Sequence, residues 1–470
     1  MGQKRSPFAS LPPIGQLLQH SEITPYLSKI DHEFVVHCLQ AETDRVRLRL
    51  GAGEEDNALS REALTTDIVS NVVAMICRLL APSLKPAVNG TGIILHTGLG
   101  RAPMSVEAQE NVTRVISGYC NLEFDLESGK RGQRNEHVEE ILCQLTGAEA
   151  ACVVNNNAAA VLLTLNSLAF GREAIVSRGQ LVEIGGSFRI PEVMEKSGTR
   201  MVEVGTTNKT HLRDYTRAVS DETGVICVIH TSNYRVQGFT KEVPLAEIVE
   251  LAHEKRIPVM QDLGSGVLID FKALGLPYEP LAKESIASGA DVVTFSGDKV
   301  LGGPQCGIIV GKKAYIDKIT SNALMRALRC DKLTYAALEP TLKQYLQPGR
   351  LLERNRVLKM LLEPLDKVSQ RAEALLQSLT AVVGTDYNVS IEDSFVQIGS
   401  GALPLEQLPS KAIGVSVESI STDTVARLFR QSDPPIIGYI REGRLLFDLR
   451  TIGREEDEIL ISAFERIAGM

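Results

Sequence analysis

Short runs of apolar, mostly β-branched residues alternate with helical segments between about Pro86 and Cys330, and this alternation constrains the fold most. Each run is apolar on both faces, which is typical of strands in a parallel sheet covered by helices on both sides. The ends of such strands face the crevice in which ligands bind. The runs are GIILH (92–96), AACVV (150–154), EAIVS (173–177), RMVEV (200–204), GVICVIH (224–230), IPVMQD (257–262), ADVVTFS (290–296) and CGIIVG (306–311).

The regions on either side of this alternation have different patterns. Before it, apolar residues recur at three- and four-residue spacing, which indicates helices. After Leu333 the pattern is helical to about Ala381 and then mixed, with a predicted hairpin that turns at Glu442-Gly443. A length of 470 residues favours two or three domains. We predict a helical N-terminal module (1–85), a large α/β domain (86–332) and a small α+β domain (333–470).

Composition excludes several classes of protein. Hydrophobic residues make up 44% of the chain and charged residues 23%, as in a soluble globular protein. No apolar run reaches the roughly 18 residues of a membrane span, and the N-terminus has no apolar signal core. The eight cysteines form no CxxC pair, which favours a reducing, cytoplasmic location over disulfides or zinc. The net charge of −8 means that any nucleic-acid surface has to be a local patch.

The segment VVNNNAAAVLLTL places Asn155, Asn156 and Asn157 between a strand and a helix. Free N–H groups at a helix N-terminus bind phosphate, and the small alanines allow close approach. An ordinary asparagine cap explains the same letters equally well.

Asp262 and Lys299 each follow a predicted strand. A buried Asp262 in VMQDLGSG could pair with a pyridine nitrogen and make the ring an electron sink. In TFSGDKVLGGPQCG, Ser296 could bind phosphate, and a desolvated Lys299 could form an imine with an aldehyde. The alternatives are a turn aspartate and a solvated lysine.

The segment HTSNY brings His230, Ser232 and Asn233 to the end of another strand, where they could contact the ring or its 3-oxygen. A core histidine is the alternative for His230. The order of phosphate loop, polar strand end, aspartate and Ser-x-x-Lys resembles the aspartate-aminotransferase-like (fold type I) enzymes. That resemblance implies pyridoxal 5′-phosphate as the cofactor.

The chain also resembles one family in particular, bacterial selenocysteine synthase (L-seryl-tRNA(Sec) selenium transferase). The resemblance runs nearly end to end and includes NGTGIILHTGLGRAP, VSRGQLVEIGGSFRIP, HTSNYRVQGFTK and FSGDKVLGGPQCGIIVGKK. It implies that seryl-tRNA(Sec) forms an aldimine, loses water to give aminoacrylyl-tRNA, and takes selenium from selenophosphate. Lys299 would be the Schiff-base lysine and α-proton base, and Asp262 would stabilise the carbanion.

The family positions also imply a cationic pocket for selenophosphate. Arg101, Arg326 and Arg329 match those positions, and Asp298 could orient or neutralise one of them. The spacing of Arg326 and Arg329 predicts a shared helix face, and arginine binds phosphate-like anions in a fixed fork. Solvated surface arginines are the alternative.

Further expectations concern the ring face, the subunit boundary and the tRNA. Glu183 is expected over the cofactor ring, and Arg131 and Arg134 are expected to face a neighbouring subunit's site. The resemblance assigns tRNA recognition to the N-terminal module, where Arg45, Arg47 and Arg49 could contact phosphates. A solvated helix face is the alternative for these three arginines. Family members are ring-shaped homo-oligomers built from dimers, and a decamer is expected.

Two rival functions are compatible with parts of this pattern. A related β-eliminating or ammonia lyase acting on a small amino acid would keep the pyridoxal core, but the N-terminal module and the arginine trio argue against it. A non-catalytic RNA-binding scaffold would not need Lys299, Asp262 or the asparagine loop.

Overall fold

A computed structural model describes residues 7–52, 60–184, 188–234, 236–400 and 406–469. The chain divides into two compact units, Met1–Pro86 and Ala87–Met470. The further boundary at residue 333 stays a prediction.

The N-terminal unit is helical, as the apolar spacing predicts. Its helices pack through an apolar core that includes Leu39 and Ile68. Ser60 caps the helix that begins at Arg61, because its Oγ accepts a hydrogen bond from the Ala63 N–H. The α-helices are α1 (Ile14–Leu18), α2 (His32–Ala52) and α3 (Arg61–Leu80).

Among the described helices, α3 has the length and mean hydropathy of a membrane span. Its buried residues, such as Val69 and Val72, pack in the core of the unit. A polar residue of α3 also contacts the rest of the unit, because Asp67 accepts a hydrogen bond from Arg49 at 3.0 Å. α3 therefore contacts the rest of the unit through both its apolar and its polar residues.

The second unit begins with alternating strands and helices. Up to residue 328 they are β1 (Val88–Asn89), α4 (Val106–Ile116), α5 (Glu136–Thr146), β2 (Ala150–Val154), α6 (Asn157–Ala169), β3 (Glu173–Ser177), β4 (Glu183–Ile184), β5 (Phe188–Arg189), α7 (Ile190–Lys196), β6 (Arg200–Val204), α8 (Leu212–Ala218), β7 (Thr223–Ile229), α9 (Leu245–Glu254), β8 (Val259–Gly264), α10 (Ala282–Ala287), β9 (Val292–Ser296), β10 (Gly307–Gly311), α11 (Lys313–Ser321) and α12 (Met325–Leu328).

The remaining elements form a helical stretch followed by a mixed one. They are α13 (Lys332–Gln344), α14 (Pro348–Arg354), α15 (Arg356–Leu362), α16 (Leu365–Val382), β11 (Tyr387–Gln397), β12 (Gln407–Val417), α17 (Thr422–Arg430), β13 (Ile436–Ile437), β14 (Tyr439–Arg441), β15 (Arg444–Asp448) and α18 (Asp457–Ala468).

Seven strands form the central sheet in the order β2-β10-β9-β8-β7-β3-β6. The pairs β9-β8, β8-β7, β7-β3 and β3-β6 are parallel, whereas β10 is antiparallel to both of its neighbours. Five of the strands, β2, β7, β8, β9 and β10, are buried along their whole length, because helices cover both faces. The predicted mostly parallel sheet is confirmed.

The prediction of a strand at 92–96 is wrong. Gly92 takes a left-handed φ of 70°, and the chain turns before a strand can form. Only Ile93 makes a bridge, to Gln397, and the Ile94 and Leu95 N–H groups donate to Gln397 and Ile398. The apolar run is buried because it packs against the end of β11 instead of joining the central sheet.

The C-terminal part contains a four-stranded antiparallel sheet in the order β11-β12-β15-β14. It packs on α16, α17 and α18 around Phe429, Phe447 and Phe464, whose rings meet edge to face. The predicted hairpin turn is confirmed, because Glu442 and Gly443 link β14 to β15 with φ values of 51° and 77°.

Candidate active site

The carboxyl ends of the central strands bring the predicted site residues together. Asp262 on β8 lies opposite Thr294 on β9 and Ile229 on β7. The end of β9 at Ser296 and the end of β2 at Val154 both pair with Gly307 on β10. The segments that follow these strands therefore meet at one edge of the sheet.

Asp262 is a buried carboxylate held from one side. Its Oδ1 accepts hydrogen bonds from Asn157 Nδ2 at 2.8 Å, Thr294 Oγ1 at 3.0 Å and the Gly264 N–H at 3.2 Å. Burial raises the pKa of Asp262, and these donors together with Lys299 oppose that rise. No residue in the described part of the chain donates to Oδ2, so this oxygen is able to accept a hydrogen bond from a ligand such as a protonated ring nitrogen.

Lys299 is buried at the same edge, with 6% of its surface exposed. Burial lowers its pKa, and the charge of Arg101 lowers it further, whereas Asp262, Asp298 and Glu279 raise it. A lowered pKa increases the fraction of neutral amine, which is the form that attacks an aldehyde and accepts a proton. The alternative of a solvated surface lysine is thereby excluded.

The backbone at Gly264 lies close to both Lys299 and Ser232. Gly264 has a φ of 67°, and a Cβ there would lie 3.9 Å from Lys299 Nζ and 3.3 Å from Ser232 Oγ. Ser232 Oγ, Asn157 Oδ1 and Asn233 Oδ1 are buried and have no hydrogen-bond partner within the described ranges. Such orphaned groups are costly unless a polar ligand satisfies them. The residues present therefore fit pyridoxal phosphate.

The three asparagines have different roles. Asn155 is exposed at the end of β2, and its N–H donates to the Leu328 carbonyl at 2.9 Å. Asn156 caps α6 through a hydrogen bond from the Ala159 N–H to Oδ1 at 2.9 Å. Asn157 donates to Asp262. The cap interpretation holds for the Asn156 side chain, and a phosphate contact of the loop stays a prediction.

The predicted ring-contacting residues lie at the end of β9 or in the segments that follow β3 and β7. His230 Nε2 lies 3.1 Å from Glu279 Oε2. The backbone N–H of His230 donates to the Asp262 carbonyl. Asn233 Nδ2 donates to the Glu183 carbonyl at 2.7 Å. The half-exposed Glu183 carboxylate pairs with Arg189 at 2.8 Å, and its position over a cofactor ring stays a prediction. Ser296 is buried at the end of β9.

Arg101 and Asp298 form an ion pair beside Lys299. Arg101 Nη1 lies 2.6 Å from Asp298 Oδ2, with the aspartate buried and the arginine one-third exposed. Arg101 has a φ of 62°, a conformation that non-glycine residues seldom adopt. Asp298 therefore pairs with one of the three arginines, and its role in orienting Arg101 stays a prediction.

The other two arginines do not share a helix face. The short helix α12 ends at Leu328, and Arg329 has an extended backbone that bridges to Val154. Arg326 is exposed, whereas Arg329 pairs with Glu123 at 2.7 Å. The spacing argument was wrong because it assumed a helix that continues through Arg329.

Glu123 gathers three guanidinium groups. Besides Arg329, it contacts Arg134 at 2.6 Å and Arg131 at 2.8 Å. Arg134 also donates to the Cys330 carbonyl. These pairs, that with Arg134 above all, hold the pKa of Glu123 below its usual range. Glu123 thus ties Arg131 and Arg134 to Arg329, which bridges to the end of β2 at Val154.

Sequence reasoning missed Thr294, Glu279 and Glu123. Thr294 precedes Ser296 by two residues, so strand alternation could have placed it on the same side as that predicted site residue. Glu279 and Glu123 lie in polar loops, where a carboxylate usually means a solvated surface. Nothing in the local sequence distinguishes them.

A mostly parallel sheet with a buried lysine and a buried aspartate at its strand ends defines an enzyme with the aspartate-aminotransferase-like fold (fold type I). A solved structure of D-glucosaminate-6-phosphate ammonia-lyase shares this fold, with a TM-score of 0.55 and 18% identity over 84% of this chain and 98% of that one. The sequence profile of the SelA family, L-seryl-tRNA selenium transferase, matches residues 87–453.

Relatives named L-seryl-tRNA(Sec) selenium transferase are similar over almost the whole chain. The Carboxydothermus hydrogenoformans protein is 45% identical over 95% of each chain. The Geobacter sulfurreducens protein is 45% identical over 98% of this chain and 99% of its own. The chain belongs to the L-seryl-tRNA(Sec) selenium transferase family.

Proposed function

We propose that this protein converts L-seryl-tRNA(Sec) to L-selenocysteinyl-tRNA(Sec), with selenophosphate as the selenium donor. The observation that carries the proposal is the 45% identity to transferases of that name across nearly the full chain. The buried Lys299–Asp262 pair supplies the matching chemistry. The relatives do not favour the alternative of a lyase acting on a small amino acid.

The cofactor in this proposal is pyridoxal 5′-phosphate. When bound, it supplies an aldehyde that condenses with amines and a ring that accepts electrons from a substrate's α-carbon. Asp262 Oδ2 would hold the ring nitrogen protonated, and Lys299 Nζ would attach to the aldehyde. The phosphate would lie near the asparagine loop and Ser296, and His230, Asn233 and Glu183 would border the ring.

The reaction exchanges the seryl hydroxyl oxygen for selenium. Lys299, released as a neutral amine, would accept the α-proton, and the β-hydroxyl would leave with a proton as water. Selenium would then add at the β-carbon, and cleavage of the Se–P bond by water would release phosphate. Arg101, Arg326 and Arg329 would bind the donor, and Asp298 would orient Arg101.

The N-terminal module (1–85) is proposed to bind the tRNA. Arg45 and Arg49 pair with Glu42 and Asp67, and Arg47 pairs with Asp44. Phosphate binding by these arginines would have to compete with the carboxylates. The module would recognise RNA shape rather than base sequence. Lys4, Arg5 and the acidic residues 54–56 lie outside the described residues.

We also propose a cytoplasmic ring-shaped homo-oligomer built from dimers, with ten chains. The family resemblance supports this assembly. Arg131, whose side chain is 74% exposed, would then face a neighbouring subunit's site. Arg134, 20% exposed and bonded within its own chain, would support that loop from behind.

The test combines cofactor mapping with product formation. Purified protein is reduced with borohydride, and the modified residue is located by mass spectrometry. The protein is also incubated with seryl-tRNA(Sec) and selenophosphate, and selenocysteinyl-tRNA is measured. We expect an adduct on Lys299 and formation of the product.

Other outcomes separate the alternatives. An adduct on Lys299 without product, together with turnover of free L-serine, would make a small-molecule lyase the leading function. The absence of any adduct would overturn the cofactor assignment.

A further inference from the structure

A cavity of about 480 Å³ lies beside the candidate active site. Its walls come from three parts of the second unit: the segment 87–107, the region 353–371 around α15, and the loop 449–456 after β15. Ile94, Met360 and Leu449 contribute apolar wall. We call this space the side cavity.

Cationic side chains dominate the side cavity. Eight arginine or lysine and five glutamate side chains line it, a surplus of three positive charges in a chain whose net charge is −8. Such a local excess in a low-dielectric cleft concentrates the field and attracts anions. The net charge of the side chains that line the side cavity is therefore opposite in sign to the net charge of the whole chain.

Some of these cationic side chains are hydrogen-bonded within the protein, and others are exposed to solvent. Arg450 donates to the Met360, Glu363 and Pro409 carbonyls, and Arg371 is bonded to Asp457 and three carbonyls. Lys359 and Lys367 are exposed, and in the described part of the chain neither has a carboxylate within 4 Å. These two lysines are available to an anionic ligand.

The side cavity adjoins the catalytic lysine through one side chain. Arg101 lines the cavity, and its guanidinium donates to Asp298, the residue before Lys299. The charge of Arg101 also acts on Lys299. A ligand in the cavity would therefore lie one guanidinium group away from the lysine site.

We propose that the side cavity binds the phosphodiesters of the 3′-terminal nucleotides of the aminoacylated tRNA, with Lys359 and Lys367 as phosphate contacts. The inference rests on the proposed function. A seryl group esterified to the terminal ribose can reach Lys299 only if the last nucleotides lie beside it. Each trailing phosphate carries one negative charge, and single strands are bound by grooves of positive charge. The apolar wall gives the terminal base a surface to pack on.

The test compares Lys359→Ala/Lys367→Ala with wild type and with Lys255→Ala, another exposed lysine that has no carboxylate within 4 Å in the described ranges. Binding is measured by fluorescence anisotropy with intact tRNA(Sec) and with the same tRNA shortened by its last three nucleotides. We expect the double variant to bind intact tRNA about three- to tenfold more weakly, with a salt slope shallower by roughly 0.7 per lysine. All proteins should bind the shortened tRNA alike.

The outcomes distinguish this inference from the proposed function. Removal of the last three nucleotides changes the affinity of each protein for the tRNA. If this change is as large in the double variant as in wild type, the side-cavity site is overturned. Equal loss of affinity for both tRNAs would overturn it too, because the lysines would then contact another part of the molecule. Failure of wild type to form selenocysteinyl-tRNA would refute the proposed function instead. An unchanged visible spectrum of the bound cofactor verifies that the variants are folded.

Discussion

At the scale of single residues, one oxygen of Asp262 carries the clearest chemistry. Three donors converge on Oδ1, so Oδ2 is free in the described structure and its direction is fixed. Burial favours the protonated acid, and the donors favour the carboxylate. The charge state of Asp262 is therefore set by a balance that single substitutions can shift.

Thr294→Val should shift that balance toward the acid. The hydroxyl lowers the pKa of Asp262, so its removal should raise that pKa and weaken protonation of the cofactor ring. We expect the pH titration of the bound cofactor's visible absorbance to move and turnover to fall about five- to tenfold, as for loss of roughly 1 kcal/mol. Thr294→Ser keeps the hydroxyl and should resemble wild type. Identical titrations of the valine variant and wild type would refute this reading.

Glu123→Gln tests the cluster of three arginines. The folded pKa of Glu123 is lowered, so its stabilising effect is complete above the ordinary pKa near ~4.3 and is lost as the pH falls through the lowered value. We expect the variant to lose about 0.5–1 kcal/mol of unfolding free energy at pH 7. Denaturation at pH 7, 5 and 4 measures the difference in unfolding free energy between wild type and the variant. This difference should be the same at pH 7 and 5 and smaller at pH 4. Glu127→Gln, in the same loop, should show no loss, and a loss that grows at low pH would contradict the assignment.

The residue types at the site could be predicted because their chemistry is specific, whereas their contacts could not. Lys299 and Asp262 follow strands, and strand ends meet at one edge. That Asn157 bonds to Asp262 depends on how α6 starts, and that Arg329 leaves its helix depends on the bridge to Val154. Both contacts join residues that are far apart in the chain, so no local pattern contains them.

At the scale of elements, the strands that are buried on both faces were the ones that the sequence pattern predicted. The seven central strands were predicted because a short apolar run between two helical segments is typical of a buried strand. Segment 92–96 has the same composition but begins at Gly92, whose left-handed φ starts a turn. Composition alone does not separate a strand from an apolar turn that is buried by a neighbouring sheet.

The start of α6 provides a test of an element's end. Asn156 Oδ1 accepts the Ala159 N–H and so satisfies one of the free donors of the first turn. Asn156→Ala should lower the unfolding free energy by about 1 kcal/mol, whereas Asn156→Ser should retain most of it. Chemical denaturation of the two variants beside wild type measures the effect. Equal stability of the alanine and serine variants would show that the cap contributes nothing.

At the scale of the whole molecule, the second unit leaves apolar side chains on its surface between residues 106 and 126. Val106, Ile116 and Phe124 are about half exposed, Leu126 is 74% exposed, and Tyr119 is fully exposed. An exposed apolar group of this kind commonly marks an interface between chains. The same segment contains Glu123 and precedes Arg131, which is expected to face a neighbouring subunit's site.

Leu126→Asp should therefore weaken the assembly. Light scattering of the wild type should give ten times the chain mass of 51.2 kDa. A charge placed in a buried interface is left without a partner, so the variant should shift to smaller species, dimers or single chains. Leu84→Asp replaces a leucine that is 92% exposed and outside this segment, and it should keep the wild-type mass. A variant at Leu126 with the full wild-type mass would place the subunit interface elsewhere. A single-chain mass for the wild type would contradict the ring itself and would require each active site to be complete within one chain.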